Sequence, residues 1–528
     1  MWQKLWHKIN NSVTGGALII AFFSFLAKLF ALLRERLIAH NFGAGEMSDI
    51  YYSAFRLPDL IFNTLVLGAL TSAFIPVFQR VWFKDRDEGL KLSNSVLNFF
   101  LIFITALVIV AFIFTPQIMP LITPGFLPWQ MESVISLSRV MLISVLFFVV
   151  SNLIGGILNS FKRFFSFSLA ASFYNIGIII GILFFYPKYD LVGLAYGVLL
   201  GAIMHLLVQL PEVHKNGWHY KFVLSFDKNL KKILKLMLPR TIGLAASQIN
   251  LVIITMIAST LTAGSIAIFN LANNLQSLPI SLFAVSLAVA VFPTFTQAVN
   301  EKNTKLFADN FSRSLRRILF MLIPISVLIV VLRAQIVRVI LGSGAFDWDN
   351  TRQTAQTLGI FAISIFAQGL IPLLARSFYA YEDTKTPMSI SIFSIIVNIF
   401  LSWQLAQILG VFGLALAFSI SSILNMILLF IFLHFRVKDI DDSQILSSIL
   451  KISVNSILAG AVAYAALQFL DNLVDMHTFI GIFIQGFGAG LAGLLSYLVL
   501  GIVFRLDELD IVKKMLKKFI LLFRNGRY

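Results

Sequence analysis

The sequence predicts an all-α polytopic membrane protein of about fourteen transmembrane helices, built as two pseudo-twofold related six-helix lobes plus two extra C-terminal helices. Four observations predict it. Of 528 residues, 58% are hydrophobic and only 12% charged, with a mean hydropathy of +0.88. Apolar runs recur at the roughly 20-residue length that crosses ~30 Å of hydrocarbon. Lysine and arginine crowd every second connection between those runs, and the chain repeats its own sequence half-way along.

Taken in order, the apolar runs fall near 17–38, 54–82, 94–115, 133–157, 166–186, 191–210, 233–260, 266–295, 314–332, 353–380, 388–409, 411–434, 447–469 and 479–504. One set of connections holds Lys84, Arg86 and Lys91, then Lys162 and Arg163, the stretch Lys215 to Lys235, Lys302 to Arg317, Arg376 and Lys385, and Arg436 and Lys438. The alternate set holds little beyond Lys188, Arg333, Arg338 and Arg352. Basic loops stay on the cytoplasmic side, so both termini are expected there. The net charge of +16 is thereby distributed by topology, and no polar domain is long enough to present a nucleic-acid surface. The long, charged first span with no A-x-A site after it gives no expectation of a cleavable signal peptide.

GALTSAFIPVF (68–78) resembles SLAVAVFPTF (286–295), which aligns Pro76 with Pro293 at an offset of 217 residues. ILNSFKRF (157–164) and LLARSFYAY (373–381) align Ser160 with Ser377 at the same offset. Two matches at one offset argue for an ancient duplication. An even number of spans per repeat keeps both halves in one orientation, with the symmetry axis along the membrane normal. The expected organisation is therefore an N-terminal interfacial segment over 1–16, an N-lobe over 17–233, and a C-lobe over 234–446. Two additional spans follow over 447–504, then a basic amphipathic helix over 505–528 on the anionic inner leaflet. WQKLWHKI (2–9) fits a short interfacial helix.

The chemistry concentrates in residues 28–59, KLFALLRERLIAHNFGAGEMSDIYYSAFRLPD. With the first span starting near Ala17, Lys28 lies about 16 Å along it, mid-bilayer. A cation there costs at least about 3 kcal/mol against lipid. Ala17, Ala21, Ser24, Lys28 and Glu35 share one helical face, and Arg56, Asp59 and Asn63 make a second polar stripe at i, i+3, i+7. Two such stripes point either into a central cavity or to a buried structural ion-pair network. Gly193, Gly197 and Gly201 form a small-xxx-small face suited to helix contact. There is no cysteine, no GxxxxGK[ST] and no HExxH, and the seven histidines are scattered. Thiolate, phosphate-loop and zincin chemistry are thus excluded, no cofactor or metal is expected, and an enzyme is disfavoured. An intramembrane transferase built on scattered loop residues is the enzymatic alternative.

At FGAGEMSDIYYSAFRLPD (42–59) and GALTSAFIPVF (68–78), extended by TPGF (123–126), GGILNSFKRF (155–164) and SFYAYEDTKTP (377–387), the sequence resembles the MurJ/MviN family of lipid II flippases. The resemblance covers nearly the whole chain. It implies two lobes around a V-shaped cavity, a cationic region for the lipid pyrophosphate, and a groove for the undecaprenyl tail along the last two spans. The family's first-helix cations match Lys28, usually arginine, and Arg34. Its adjacent acid matches Glu35, in place of aspartate, and its acid after the FGAG turn matches Asp49. The family's second-helix arginine falls at Phe62 or Asn63, its glutamate at Leu67, and its eighth-helix arginine at Asn274.

The expected substrate site is therefore Lys28, Arg34, Glu35, Asp49, Arg56 and Asp59, with Ser24, Asn63, Asn274 and Arg376 as secondary members. Asn250, Asn398 and Asn425 are candidates for a cation site, the alternative being interhelical hydrogen bonding. Coupling is expected to membrane potential or to Na+ or H+. Lipid II or a related polyprenyl-pyrophosphate sugar is the expected ligand, and wall-synthesis enzymes are candidate partners. The alternatives are a flippase for an O-antigen or capsule unit, a MATE-like antiporter, and a non-transporting scaffold.

Overall fold

The computed structural model describes residues 13–476 and 478–510, and no strand occurs among them. The interfacial helix expected over 2–9 and most of the basic helix expected over 505–528 lie outside the described residues. The chain forms two compact units: residues up to Ala267 with Ser343–Phe346, and Ile268–Gly342 with everything from Asp347 onward. The contact boundary thus follows the seventh long helix, whereas the sequence repeat divides the chain at 233/234. The seventh helix packs with the first unit, against the second apolar segment.

In the first unit, α1 (Val13–Phe42) leads into a broken second segment of α2 (Glu46–Ala54), α3 (Arg56–Ile61), a wide-turn stretch Phe62–Leu70, and α4 (Thr71–Trp82). The sequence suggests one continuous run over 54–82, and the structure corrects this. Pro58 has no N–H to donate and falls in the first turn of α3, where none is needed. The wide π turns that follow interrupt the regular ladder. Long helices α5 (Arg86–Ile122) and α6 (Pro128–Ser160) come next, then α7 (Phe164–Ile180), α8 (Tyr186–Tyr189), α9 (Leu191–Leu207), α10 (Leu210–Lys215) and α11 (Lys228–Ser259).

The second unit runs through α12 (Ser265–Pro279), a wide-turn stretch Ile280–Val285, α13 (Ser286–Asn300), α14 (Thr304–Leu341), α15 (Trp348–Ala362), α16 (Ile365–Ala380), α17 (Lys385–Leu409), α18 (Val411–Arg436), α19 (Asp442–Asp471) and α20 (Phe479–Val503). The wide turns at 62–70 and 280–285 coincide under the 217-residue offset, each just before the aligned proline, Pro76 or Pro293. Among the described residues, eleven helices are long and apolar enough to cross a membrane, or twelve when α15 and α16, bent by 45°, count as one span. That number is lower than the expected fourteen. The broken second segment contains no single helix of sufficient length, and α1 does not enter the count.

Helix contact is made by small residues, as the glycine spacing suggested. A Cβ on Gly197 would lie 2.6 Å from the Cα of Gly181, and one on Gly177 would lie 2.3 Å from the Cα of Gly201. Without a hydrophobic driving force between helices in lipid, such backbone approach supplies the van der Waals contact that joins α7 to α9. In the second unit α14 is the post for the last two helices. Tyr497 donates its hydroxyl to the Phe320 carbonyl at 2.9 Å, Asn455 donates to the Tyr497 carbonyl at 2.9 Å, and buried Arg316 meets Glu508 at 3.0 Å. Between α14, α16, α18 and α19 lies an apolar cavity of about 490 Å³ lined by Leu319, Leu370, Phe430 and Leu446 among others.

Gly197→Ala is expected to destabilise the protein by about 1–3 kcal/mol through overpacking. Gly243→Ala, where nothing lies within 4 Å of the new Cβ, should leave the melting temperature in detergent essentially unchanged. A second expectation concerns Asp383, in the turn before α17. Partial burial alone would raise its carboxyl, but the Thr386 N–H and hydroxyl and the Arg436 guanidinium outweigh that and hold it below its ordinary 3.8. A depressed carboxyl contributes stability that is complete above its unfolded value and lost as pH falls through the folded one. Asp383→Asn keeps an acceptor for Thr386 but loses the partly exposed ion pair with Arg436, so it should cost about 0.5 kcal/mol near neutral pH, with the loss vanishing in melts below the carboxylate range.

Candidate functional site

Within 28–59, Arg34, Glu35, Tyr52, Arg56 and Asp59 come together inside the first unit. Glu35 is buried and doubly held: Arg34 Nη2 lies 2.5 Å from its Oε1, and the Tyr52 hydroxyl donates to its Oε2. Adjacent residues on a helix point about 100° apart, so Arg34 and Glu35 meet through the length and bend of the arginine side chain. The carboxylate thereby fixes where the guanidinium sits. Arg34 Nε is buried with no hydrogen-bond partner among the described residues, as is the Tyr51 hydroxyl. Tyr51 and Tyr174 stand within electrostatic reach of Arg34.

One helix on, buried Arg56 donates its Nε to Thr255 Oγ1 on α11 at 2.7 Å, a link across 199 residues of sequence. Asp59, half-buried on the next turn, acts through space on both Arg56 and Arg34. Within this cluster two guanidiniums face two carboxylates. Charges taken out of water survive in a protein interior only when neutralised in this way. Lys28 is the exception. It is accessible, together with Ala21 and Ser24 on its own helical face, and it makes no ion pair among the described residues. The cluster therefore carries its uncompensated positive charge at Lys28.

Asp49 is placed differently from the expectation. Both its oxygens are taken by backbone, accepting from the N–H of Gly264 at 2.7 Å and of Ala267 at 2.8 Å. These are orphan donors at the start of α12, where a helix presents unpaired N–H groups and partial positive charge. Asp49 thus fastens α2 to residues 264–267, which belong to the first unit with it, and meets no side-chain cation among the described residues.

Of the secondary residues, Asn63 is half-buried in the wide-turn stretch, whereas Asn274 and Arg376 belong to the second unit. Asn274 shares the half-exposed side of α12 with Asn270, Asn273 and Ser277. Arg376 reaches toward the Pro372 carbonyl at 3.5 Å. The three cation candidates are also divided. Asn250 lies in the first unit; Asn398 and Asn425 lie in the second, where Asn398 donates to Ser421 Oγ at 2.9 Å. The Oδ1 atom of each is buried without a hydrogen-bond partner among the described residues. No group of three His, Cys, Asp or Glu gathers among those residues, so the oxygens on offer to an ion are amides and hydroxyls.

The sequence reading missed Tyr51, Tyr52, Tyr174 and Thr255. The Tyr51–Tyr52 pair, flanked by acids in an amphipathic turn, was a usable signal. Nothing in the sequence singles out Tyr174 or Thr255.

The described residues form a bundle of membrane-length helices with ionisable side chains gathered in its interior, the class of a polytopic membrane protein with a polar interior site. Three comparisons narrow the class. A family model described as lipid II flippase MurJ matches residues 38–484. A Rickettsia prowazekii protein named probable lipid II flippase MurJ is 31% identical over 420 residues, covering 78% of this chain and 82% of that one. A solved structure titled lipid II flippase MurJ in an inward closed conformation superposes with a TM-score of 0.78 at 28% identity, over 94% of this chain and all of that one. An inward-facing MATE transporter of the MOP superfamily, at 16% identity and a TM-score of 0.68 over 80% of this chain and 98% of its own, shares the fold. The chain belongs to the MurJ family of lipid II flippases.

Thr255→Val keeps the shape of the side chain and removes the acceptor of Arg56 Nε. Stranding a buried charged donor should lower stability by about 1–3 kcal/mol, read as a lower melting temperature in detergent. Thr255→Ser should restore it.

Proposed function

We propose that this protein translocates undecaprenyl-pyrophosphate-linked peptidoglycan precursor, lipid II, from the inner to the outer leaflet by alternating access. Family membership and the charge arrangement around Arg34 support this reading, and the observation that carries it is the exposed Lys28 about two turns before the neutralised Arg34–Glu35 pair on the same helix. A dianionic pyrophosphate cannot cross ~30 Å of hydrocarbon unaided. Lys28 gives the incoming headgroup an unopposed cation, and Arg34 offers charge-assisted hydrogen bonds at a distance preset by Glu35 and Tyr52. Phosphate arrival competes with Glu35 for Arg34, and that exchange is a natural trigger for rearrangement. Arg56 and Asp59 stand one layer further in as reserve charge. The clasp of Asp49 on the start of α12 belongs to the gate. The apolar cavity against α19 has the chemistry for part of the polyprenyl tail.

Moving one net charge through the field is worth about 2.3 kcal/mol per 100 mV, so membrane potential is a sufficient energy source. The amides Asn250, Asn398 and Asn425 are the candidates should Na+ contribute. In this reading the protein sits in the bacterial inner membrane with both termini on the cytoplasmic side, which the basic alternate connections support, and wall-synthesis enzymes are candidate partners. A second reading, transport of another polyprenyl-pyrophosphate sugar, is favoured by one observation. Where arginine would reinforce the pyrophosphate clamp, α12 presents the amides Asn270, Asn273 and Asn274, groups suited to sugar hydroxyls.

Lipid II translocation in proteoliposomes tests the assignment. Lys28→Ala and Arg34→Ala should each lower the rate tenfold or more, about 1.4 kcal/mol of lost stabilisation. Undiminished transport in both variants would overturn the site. Faster transport of a different polyprenyl-pyrophosphate sugar in the same vesicles would install the second reading.

A further inference from the structure

The connection between α10 and α11 is neither helix nor ladder over residues 218–227, yet it is tightly held. Buried side chains of α5 bind its backbone at alternate residues. Asn94 donates to the His219 carbonyl at 3.0 Å and accepts from the Lys221 N–H at 3.0 Å. Asn98 donates to the carbonyls of Lys221 at 3.3 Å and Val223 at 2.9 Å, and Ser95 accepts from the Ser225 N–H at 3.0 Å. Trp218 closes the row by donating its indole N–H to Ser93 at 2.9 Å. A two-residue period in the bonded backbone groups is the signature of extended chain, so 219–225 forms a ribbon clasped along one edge by side chains of a helix.

Successive side chains of an extended ribbon point to opposite faces. The even face is Tyr220, Phe222, Leu224 and Phe226, which are 52%, 73%, 57% and 57% exposed. The odd face carries His219, Lys221, Val223 and Ser225. Phe222, Leu224 and Phe226 are held open at one face, while Tyr220 on the same face donates its hydroxyl to Asn98 Oδ1 at 3.0 Å; three large apolar side chains so exposed are unusual for a surface meeting only water. Two further observations identify what covers them. Phe226 sits against Phe99 with ring centroids 5.9 Å apart, and Phe99 stacks on Phe103, continuing onto the outward apolar side of α5 with exposed Ile102 and Ile109. Around the ribbon lie exposed Lys215, Lys221, Lys228, Lys231, Lys232 and Lys235, with Lys231 Nζ 5.5 Å from the centroid of the Phe226 ring.

We propose that residues 218–227 form a membrane-interface ribbon. Its even face is immersed at the acyl–headgroup boundary of the inner leaflet, and its neighbouring lysines bind anionic phospholipid headgroups. Each lysine near an anionic surface contributes about 1 kcal/mol, and the aromatic residues supply the apolar immersion typical of an interfacial anchor. The ribbon leads directly into α11, the helix whose Thr255 holds Arg56, so it sets the depth of that helix in the bilayer. The inference stands whichever lipid-linked sugar is carried.

The chain contains no cysteine, so Lys221→Cys and Phe222→Cys each give a single labelling site at an exposed side chain. The full-length protein, nitroxide-labelled at either position, is reconstituted in phosphatidylethanolamine–phosphatidylglycerol vesicles, and power saturation is measured against oxygen and a water-soluble nickel chelate. The expected result is a severalfold higher oxygen-to-nickel accessibility ratio at 222 than at 221. Replacing phosphatidylglycerol with phosphatidylcholine should lower the ratio at 222. Equal, water-like ratios at both positions overturn the proposal. Protection of 222 that appears only after adding soluble cell extract also overturns it, in favour of a protein partner. An unchanged ratio in phosphatidylcholine overturns the role given to the lysines. Melting temperatures matching the parent exclude misfolding of the variants.

Discussion

The cost of holding ionised groups among hydrocarbon-bound helices governs the first unit. Arg34 is tolerated because Glu35 lies against it, and Glu35 is tolerated because Tyr52 satisfies its second oxygen. Removing one partner of such a pair leaves a buried charge uncompensated, typically a loss of 3–5 kcal/mol. Soluble proteins gain little from such pairs and often do without them. In a membrane protein, ionisable side chains within the spans are tolerated where they face the bundle interior and pair with one another, as Arg34 and Glu35 do.

The second apolar segment carries Tyr52, Arg56 and Asp59 at i, i+4 and i+7, one stripe of a helix, and it breaks at Phe55 and widens over 62–70. Wide helical turns recur at functional sites because they free the regular ladder at modest cost. Their recurrence at 280–285, at the repeat offset, places the same device in the second unit, where the aligned surroundings carry amides rather than arginine. The two units thus share this backbone feature at equivalent positions of the repeat.

Polar side chains in this protein are mostly spent on joints between helices. Asp49 satisfies the open start of α12, Arg316 ties the residues after α20 to α14, and four polar residues of α5 clasp the ribbon at 218–227. In lipid there is little hydrophobic incentive for one helix to approach another, so small-residue contacts and buried hydrogen bonds specify the neighbours.

How much of this was legible beforehand follows from physical range. The bilayer imposes length and hydropathy on each span, so the all-helical class was readable from the chain alone, as was the placing of Arg34, Glu35, Arg56 and Asp59 on neighbouring early helices. The glycine face on α9 was readable for the same reason, because its periodicity is local. Tertiary structure alone decided that Asp49 meets backbone at Gly264 and Ala267, that Thr255 receives Arg56 across 199 residues, and that Tyr220, Phe222, Leu224 and Phe226 stand open on a clasped ribbon. Hydrogen bonds between distant segments depend on which helices become neighbours, and no local period in the sequence encodes that choice.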